Sequence, residues 1–398
     1  MKKNCPRSVW IWTTIKAHLS IYGLAVILAT SSVYLQAANN FWVTGYYPGY
    51  NQNVMPASNI DFTTLTHVID FSVVPNINGS LNTIKKSITR DHITNLVSLT
   101  HAAGRKVLIC IGGSSSESGF LGATSGANLT TFINNLTNFV AVWGYDGVDI
   151  DWEPLNDNDD AQYTNLVIRL RSALNGFATP KLLTTAINPW PKSGALFPML
   201  DKIQTNFDQI NLMTYDASGP HHGWITWFNA PLYDGGTKFP NGRLIRSVDQ
   251  GVTNCLSNAI TPGKVGLGIA FYGFIWTGGP GGITGPRQSW PANNPPVVST
   301  PTYTTIMSNF YQPSLYHWDA SAQAAYLSIT NANAANDKFI SFEDQRSCQA
   351  KISYARNHGL GGVMIWQLTQ DYFSGQPVGQ RNPLCSAIKN GLAASSPK

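Results

Sequence analysis

The sequence predicts an α/β protein, a (β/α)8 TIM barrel with a small α+β insertion between its seventh and eighth strands. Three observations predict it. Short apolar runs recur along the chain without polar alternation, as strands buried on both faces of a parallel sheet require. Segments with helical spacing lie between them, so strand and helix alternate about eight times. One interval is out of scale, at about 90 residues where a barrel repeat takes about 30.

The predicted strands are Trp42–Tyr47, Thr66–Val74, Lys106–Gly113, Gly144–Trp152, Leu182–Asn188, Phe207–Asp216, Lys264–Gly273 and Gly361–Leu368. Helical spacing covers Asp91–Ala103, Leu129–Trp143, Asp160–Phe177, Leu244–Ala259 and Phe342–His358. A doubly wound nucleotide fold would need a glycine fingerprint after its first strand, and "GYYPGYNQN" is not one. The long interval opens on "TGGPGGITGPRQSWPANNPP", whose Gly and Pro content reads as a loop. After it, "TYTTIMSNF", "SLYHWDASAQAAYLSI" and "KFISFED" read as short strands or turns. The insertion therefore spans about residues 277–341 and belongs on the top rim, where loops shape a cleft.

Basic residues precede an apolar run from Ile21 to Leu35, which ends in the small-residue stretch "LQAANN". That order reads as a secretory signal peptide over residues 1–37, cleaved near Ala37. The rival reading is an uncleaved anchor, but a span needs about 18 apolar residues or more. Cleavage leaves residues 38–398 as a secreted, extracellular protein with no membrane attachment. It also removes four basic residues and no acidic one from a net charge of +5, leaving +1. A nearly neutral chain lacks the clustered Lys and Arg of a nucleic-acid partner. Charged residues make up 12% of the chain, so Asn, Ser, Thr and Gly must supply most of the polar surface. Four cysteines remain; Cys110 sits in a buried strand, and Cys348 with Cys385 is the favoured disulfide. No Cys/His cluster has zinc spacing, and neither a metal nor a cofactor is expected.

The chemistry is concentrated in "YDGVDIDWEP", Tyr145–Pro154. Along a strand, residues i, i+2 and i+4 share a face, so Asp149, Asp151 and Glu153 line up inside the barrel. Glu153 comes last, nearest the C-terminal mouth where barrel active sites lie. Like charges this close raise at least one pKa, and the set titrates together. The result is a carboxylic acid that keeps its proton near neutral pH, as a general acid must. A calcium loop competes poorly, because Pro154 occupies the sixth position, where such a loop needs Gly. A solvated acidic strand fails on Val148, Ile150 and Trp152, which leave no room for exposure.

These residues resemble glycoside hydrolase family 18, the chitinases and their relatives. "DGVDIDWE" is similar to the family's D-x-x-D-x-D-x-E signature, with Asp146 as its first acid. "LICIGG" resembles the third-strand S-x-G-G motif with Cys110 in the Ser place. "NLMTYD" resembles the sixth-strand M-x-Y-D, and "GGVMIWQLTQD" the eighth-strand segment. The likeness runs from about Phe41 to Ile388, and the insertion is similar to a reduced form of one found in a chitinase subfamily. The resemblance implies hydrolysis of β-1,4 bonds between N-acetylglucosamine units of chitin or chitooligosaccharides, with retention. It implies substrate assistance, in which the 2-acetamido group of the sugar replaces the enzyme's own nucleophile. Glu153 would then be the acid and base, Asp151 would orient the acetamido group, and Asp149 would share its proton. Tyr215 would bind the acetamido carbonyl, Asp216 the sugar, and Trp366 would form the floor. Tyr46, Phe71, Ala186 and Met213 fit an acetamido pocket and a plain barrel core equally well.

Trp190, Trp224, Trp227, Trp276, Trp290 and Trp318 follow strands or sit in the insertion, where flat rings could stack on sugars. Each fits core packing as well; Trp224 and Trp227 are the best candidates for a polysaccharide track. Ser114, His221 and Phe274 depart from residues common in the family, namely two Trp and an Arg, and so bear on subsite preference. His221 and His222 read as surface loop residues. A monomer is expected. Within the same fold, an endo-β-N-acetylglucosaminidase acting on N-glycans and an inactive chitin-binding lectin are the alternatives.

Overall fold

The computed structural model describes residues 41–191, 194–220 and 225–394. The expected signal peptide, His221, His222 and Trp224 lie outside the described residues. Eight parallel strands close a barrel: β1 (Trp42–Pro48), β2 (His67–Pro75), β3 (Lys106–Gly113), β4 (Gly147–Trp152), β5 (Leu182–Ile187), β6 (Gln209–Leu212), β7 (Val265–Ala270) and β8 (Gly362–Trp366). Each pairs in parallel with the next, and β1 pairs with both β2 and β8. Closure leaves this sheet no free edge.

Around the strands run α1 (Arg90–Ala102), α2 (Glu117–Ala123), α3 (Asn128–Trp143), α4 (Asp160–Asn175), α5 (Leu196–Ile203), α6 (Val248–Leu256), α7 (Tyr303–Asn309), α8 (Gln345–Asn357) and α9 (Pro383–Ala394). Helix α3 shows why they dock: Leu129, Phe132, Ile133, Leu136 and Val140 recur at intervals of three and four and are all buried. It stops at Gly144, whose φ of 76° is the left-handed conformation glycine adopts without steric cost. Caps explain two boundaries that differ from the sequence expectation. Ser247 accepts the Gln250 N–H and starts α6 there, because Leu244 pairs with Lys238 in a preceding hairpin. Asp344 accepts the Ser347 N–H and starts α8, because Phe342 still belongs to a strand. Helices α2 and α5 are too short to show a period in sequence.

Between β7 and β8 the chain folds a five-stranded antiparallel sheet from Phe274–Gly278, Pro296–Ser299, Tyr316–Asp319, Ala324–Ile329 and Lys338–Phe342. It starts three residues before Thr277, and "TYTTIMSNF" is the helix α7, capped by Thr302, rather than a strand or turn. Trp227 and Trp276 are wholly buried and correct the polysaccharide-track reading. The Trp276 indole N–H donates to the Trp227 carbonyl at 2.9 Å, and the Trp227 N–H to the Arg246 carbonyl at 2.9 Å. The Trp276 indole thus fastens the loop after β6 to the antiparallel sheet, and the Trp227 indole ties two stretches of that loop together. Cys348 in α8 and Cys385 in α9 are buried free thiols, so the expected disulfide is not made.

One buried ion pair also ties these parts together. Lys351 of α8 donates to the Ala230 carbonyl at 2.7 Å and to the Glu343 carboxylate. Ser347 donates to the other Glu343 oxygen at 2.6 Å. Replacing Lys351 with Met strands a buried carboxylate and should cost about 3–5 kcal/mol in a urea unfolding titration. The double variant Lys351→Met/Glu343→Gln should recover most of that loss. An equal loss in both would show that the pair is not what matters there.

Candidate active site

The parallel register of β3, β4 and β5 builds the site. It sets Cys110 and Thr184 directly beside Asp149 on the flanking strands. Asp149 is fully buried, and Thr184 Oγ1 donates to its Oδ1 at 2.5 Å while Tyr46 Oη donates to its Oδ2 at 2.8 Å. The Cys110 thiol also hydrogen-bonds it. Burial raises the Asp149 carboxyl on balance, and these three donors oppose the rise only in part. The cysteine standing in the serine position of the third-strand motif is thus a ligand of the deepest acid. Sequence reasoning assigned no role to Thr184; its signal was a hydroxyl at an inward position of an apolar strand.

Asp151 lies one layer higher and is 3% exposed. Its carboxyl is pushed well up, first by burial and then by the charges of Glu153 and Asp149. The Asp151 and Glu153 carboxyls are hydrogen-bonded to one another and share a proton. Its Oδ1 is buried without any protein partner. Glu153 is half-buried, and burial raises its carboxyl too, opposed by the bond from Asp151 and by the charge of Lys86. A proton is therefore held on the Asp151–Glu153 pair. Asp146, the first acid of the motif, plays a different part. At the opposite end of the strand it accepts from Val107 N–H, His101 and Lys106. Burial raises that carboxyl, but the three bonds outweigh it and lower it.

Two glycines let these strands close up. Gly112 and Gly113 end β3 with φ of 114° and 99°. A Cβ on Gly112 would lie 2.1 Å from the Asp151 carbonyl oxygen, and one on Gly113 would lie 2.6 Å from the Phe71 ring.

The remaining expected residues fall around the carboxylates. Trp366 ends β8 half-buried, with Phe71 edge-on at 4.7 Å and Tyr46 tilted at 5.6 Å. Tyr215 is buried beyond β6, and its hydroxyl has Met364 Sδ at 3.8 Å, a weak acceptor. Asp216 follows it at a φ of 57°, exposed at the mouth and bonded by Tyr272 Oη at 2.6 Å. A cleft of about 840 Å3 opens at Glu153; Ser114, Trp152, Ala186, Asn188 and Met213 are among its walls. Ala186 and Met213 are therefore wall residues, whereas Tyr46 and Phe71 are buried beneath. Trp190, Trp290 and Trp318 do not line this cleft; Trp190 and Trp318 lie under the Arg246 and Arg346 guanidiniums, 5.6 and 4.0 Å away. Among the described residues, no three His, Cys, Asp or Glu side chains are grouped so as to hold a metal ion.

A family model described as glycosyl hydrolases family 18 matches residues 43–371, a span that runs from within β1 past the end of β8. The chain belongs to this family. A Caenorhabditis elegans protein named a probable endochitinase is 30% identical over 285 residues, 68% of this chain and 45% of that protein. Chitinase A1 of Niallia circulans is 30% identical over 291 residues, 67% of this chain and 40% of that one. The chain thus spans under half the length of these curated relatives. The crystal structure of an Ostrinia furnacalis Group IV chitinase with allosamidin superposes with a TM-score of 0.77. It is 23% identical, covers 90% of this chain and 100% of that one, and shares the fold.

The family-18 acids make a prediction about stability. A carboxyl with a raised folded pKa contributes fully below its unfolded value, and that contribution is lost as pH rises through the folded value. Asp151 is such a group. The melting temperature of Asp151→Asn should match the parent below about pH 4 and exceed it by a growing margin toward about pH 8. An offset that does not change with pH would contradict the buried-charge account.

Proposed function

We propose that this protein is a secreted chitinase. It hydrolyses β-1,4 bonds between N-acetylglucosamine units of chitin and chitooligosaccharides, by a retaining mechanism in which the substrate supplies the nucleophile. The observation that carries this reading is the Asp151–Glu153 pair: a proton held at a cleft, beside a carboxylate oxygen with no protein partner. No second carboxylate is needed as a nucleophile, because Asp151 shares its proton with Glu153 and Asp149 is saturated by donors.

In this mechanism Glu153 gives its proton to the glycosidic oxygen as the C1–O bond breaks. The acetamido carbonyl oxygen of the same sugar attacks C1 and closes an oxazolinium ring. The free Asp151 oxygen accepts the acetamido N–H, which aligns that oxygen and offsets the positive charge of the ring. The Tyr215 hydroxyl, which has only a thioether nearby, donates to the acetamido carbonyl. Trp366 supports the distorted ring, and Met213, Tyr46, Phe71 and Ala186 enclose its N-acetyl methyl group. Glu153 then takes a proton from water, which opens the oxazolinium ring at C1 and restores the acetamido group with the original configuration. Asp216, open at the mouth, accepts hydroxyls of the bound chain. The protein is read as exported through residues 1–37 and acting as a monomer.

Glu153→Gln should keep the fold and lower turnover of chitin oligomers by about 10²–10⁴-fold. A product profile with anomers resolved checks the rest. Initial β products from chitin support the mechanism; initial α products would remove substrate assistance. Cleavage of an N-glycopeptide core with no cleavage of chitin would replace the substrate.

A further inference from the structure

The loop between β2 and α1 brings one charged side chain to the site that the mechanism leaves unused. Lys86 Nζ lies 5.5 Å from the centroid of the Tyr50 ring and 5.7 Å from that of Phe71. Phe71 is the ring that meets Trp366 edge-on, so the ammonium stands between the floor under the reacting sugar and Tyr50, an exposed ring at the rim. The loop is seated firmly: a Cβ on Gly49 would lie 2.8 Å from the Lys86 carbonyl oxygen. Lys86 is half-buried, and no carboxylate or hydrogen-bond acceptor among the described residues pairs with its ammonium. Its charge nevertheless reaches both Asp151 and Glu153.

An ammonium carries three donors and no acceptor. Held against aromatic faces, with part of its water removed, it seeks a carbonyl or hydroxyl oxygen and repels another cation. A chitin-like polymer varies between its units in this same respect. Each unit carries either an acetamido group, neutral with a carbonyl acceptor, or a free amine that is cationic at acidic pH. We propose that Lys86 determines specificity, accepting an N-acetylated unit and rejecting a free-amine unit at the position that follows the reacting ring on its non-reducing side. This rests on the reading of the cleft as a site for N-acetylglucosamine polymers. The selection is one-sided. The cleft beyond Glu153, which would receive the leaving sugars, is lined by Glu117 and Asp157 and does not include Lys86.

The test uses the full chain at acidic pH on fully acetylated chitin oligomers and on partially deacetylated chitosan, with product ends sequenced. Parent protein should release products whose second unit from the new reducing end is acetylated. Lys86→Met should admit a free-amine unit there roughly tenfold more often, while Lys86→Arg keeps the parent pattern. Raising the salt concentration should relax the parent's selection, because only a charge effect is screened. An unchanged pattern in Lys86→Met overturns the proposal. So does a uniform fall in turnover on both substrates, which would mark a packing role. Absence of parent activity on the acetylated oligomers would instead count against the chitinase reading itself.

Discussion

The structure depends on one constraint: three carboxylates must lie in line along the inner face of β4 and just past its end, and a barrel interior does not tolerate three charges. Moving one carboxylate from water into such an interior costs several kcal/mol unless it is paired or keeps its proton. The chain solves this by depth. The deepest acid, Asp149, is surrounded by donors from three other strands, Tyr46 of β1, Cys110 of β3 and Thr184 of β5. These donors offset part of the cost that burial puts on its charged form. Asp151, one layer up, has no such set and keeps a proton instead. Glu153 reaches the cleft, where exchange with solvent and substrate is possible.

The rest of the barrel top follows from that gradient. The donors reach Asp149 because the parallel register places them at its level, and register in a closed sheet cannot slip without turning every inward side chain outward. Gly112 and Gly113 leave the space in which the Asp151 carbonyl and the Phe71 ring approach. Thr184→Val or Cys110→Leu would therefore disturb catalysis through Asp149, although neither side chain meets substrate in the proposed mechanism.

Much of this was legible in the sequence, for physical reasons. Parallel strands buried on both faces must be apolar along their length, so an i, i+2, i+4 set of acids within one stands out, and its direction follows from strand geometry. The aromatic subsites were illegible for the converse reason. An indole is large and apolar, so burial and sugar stacking call for the same residue, and only the fold shows that Trp227 is buried to hold two parts of the chain together. The free thiols Cys348 and Cys385 show a similar limit: they sit on two helices that pack together, and pairing depends on Cβ geometry that spacing does not encode. Lys86 left no sequence signal, since a lysine in a polar loop is ordinarily solvated.

The departures from the family pattern shift where recognition resides. Phe274, which departs from the Arg that the resemblance implies, is buried as the first residue of the antiparallel sheet, so this position contributes packing and no charge. The neighbouring acid is held by other means. The Asp216 N–H donates to Asn229 Oδ1, Asn229 Nδ2 donates to the Tyr272 carbonyl, and Tyr272 Oη returns to Asp216 Oδ1. This closed circuit joins the ends of β6 and β7 through the loop between them and fixes a left-handed residue without a guanidinium. Crowding by protein atoms raises the Asp216 carboxyl, and the Tyr272 hydroxyl lowers it again. Ser114, which lines the cleft, likewise presents a small hydroxyl side chain there. The groups that this rim offers are therefore hydrogen-bonding and charged side chains, Asp216 and Tyr272 among them.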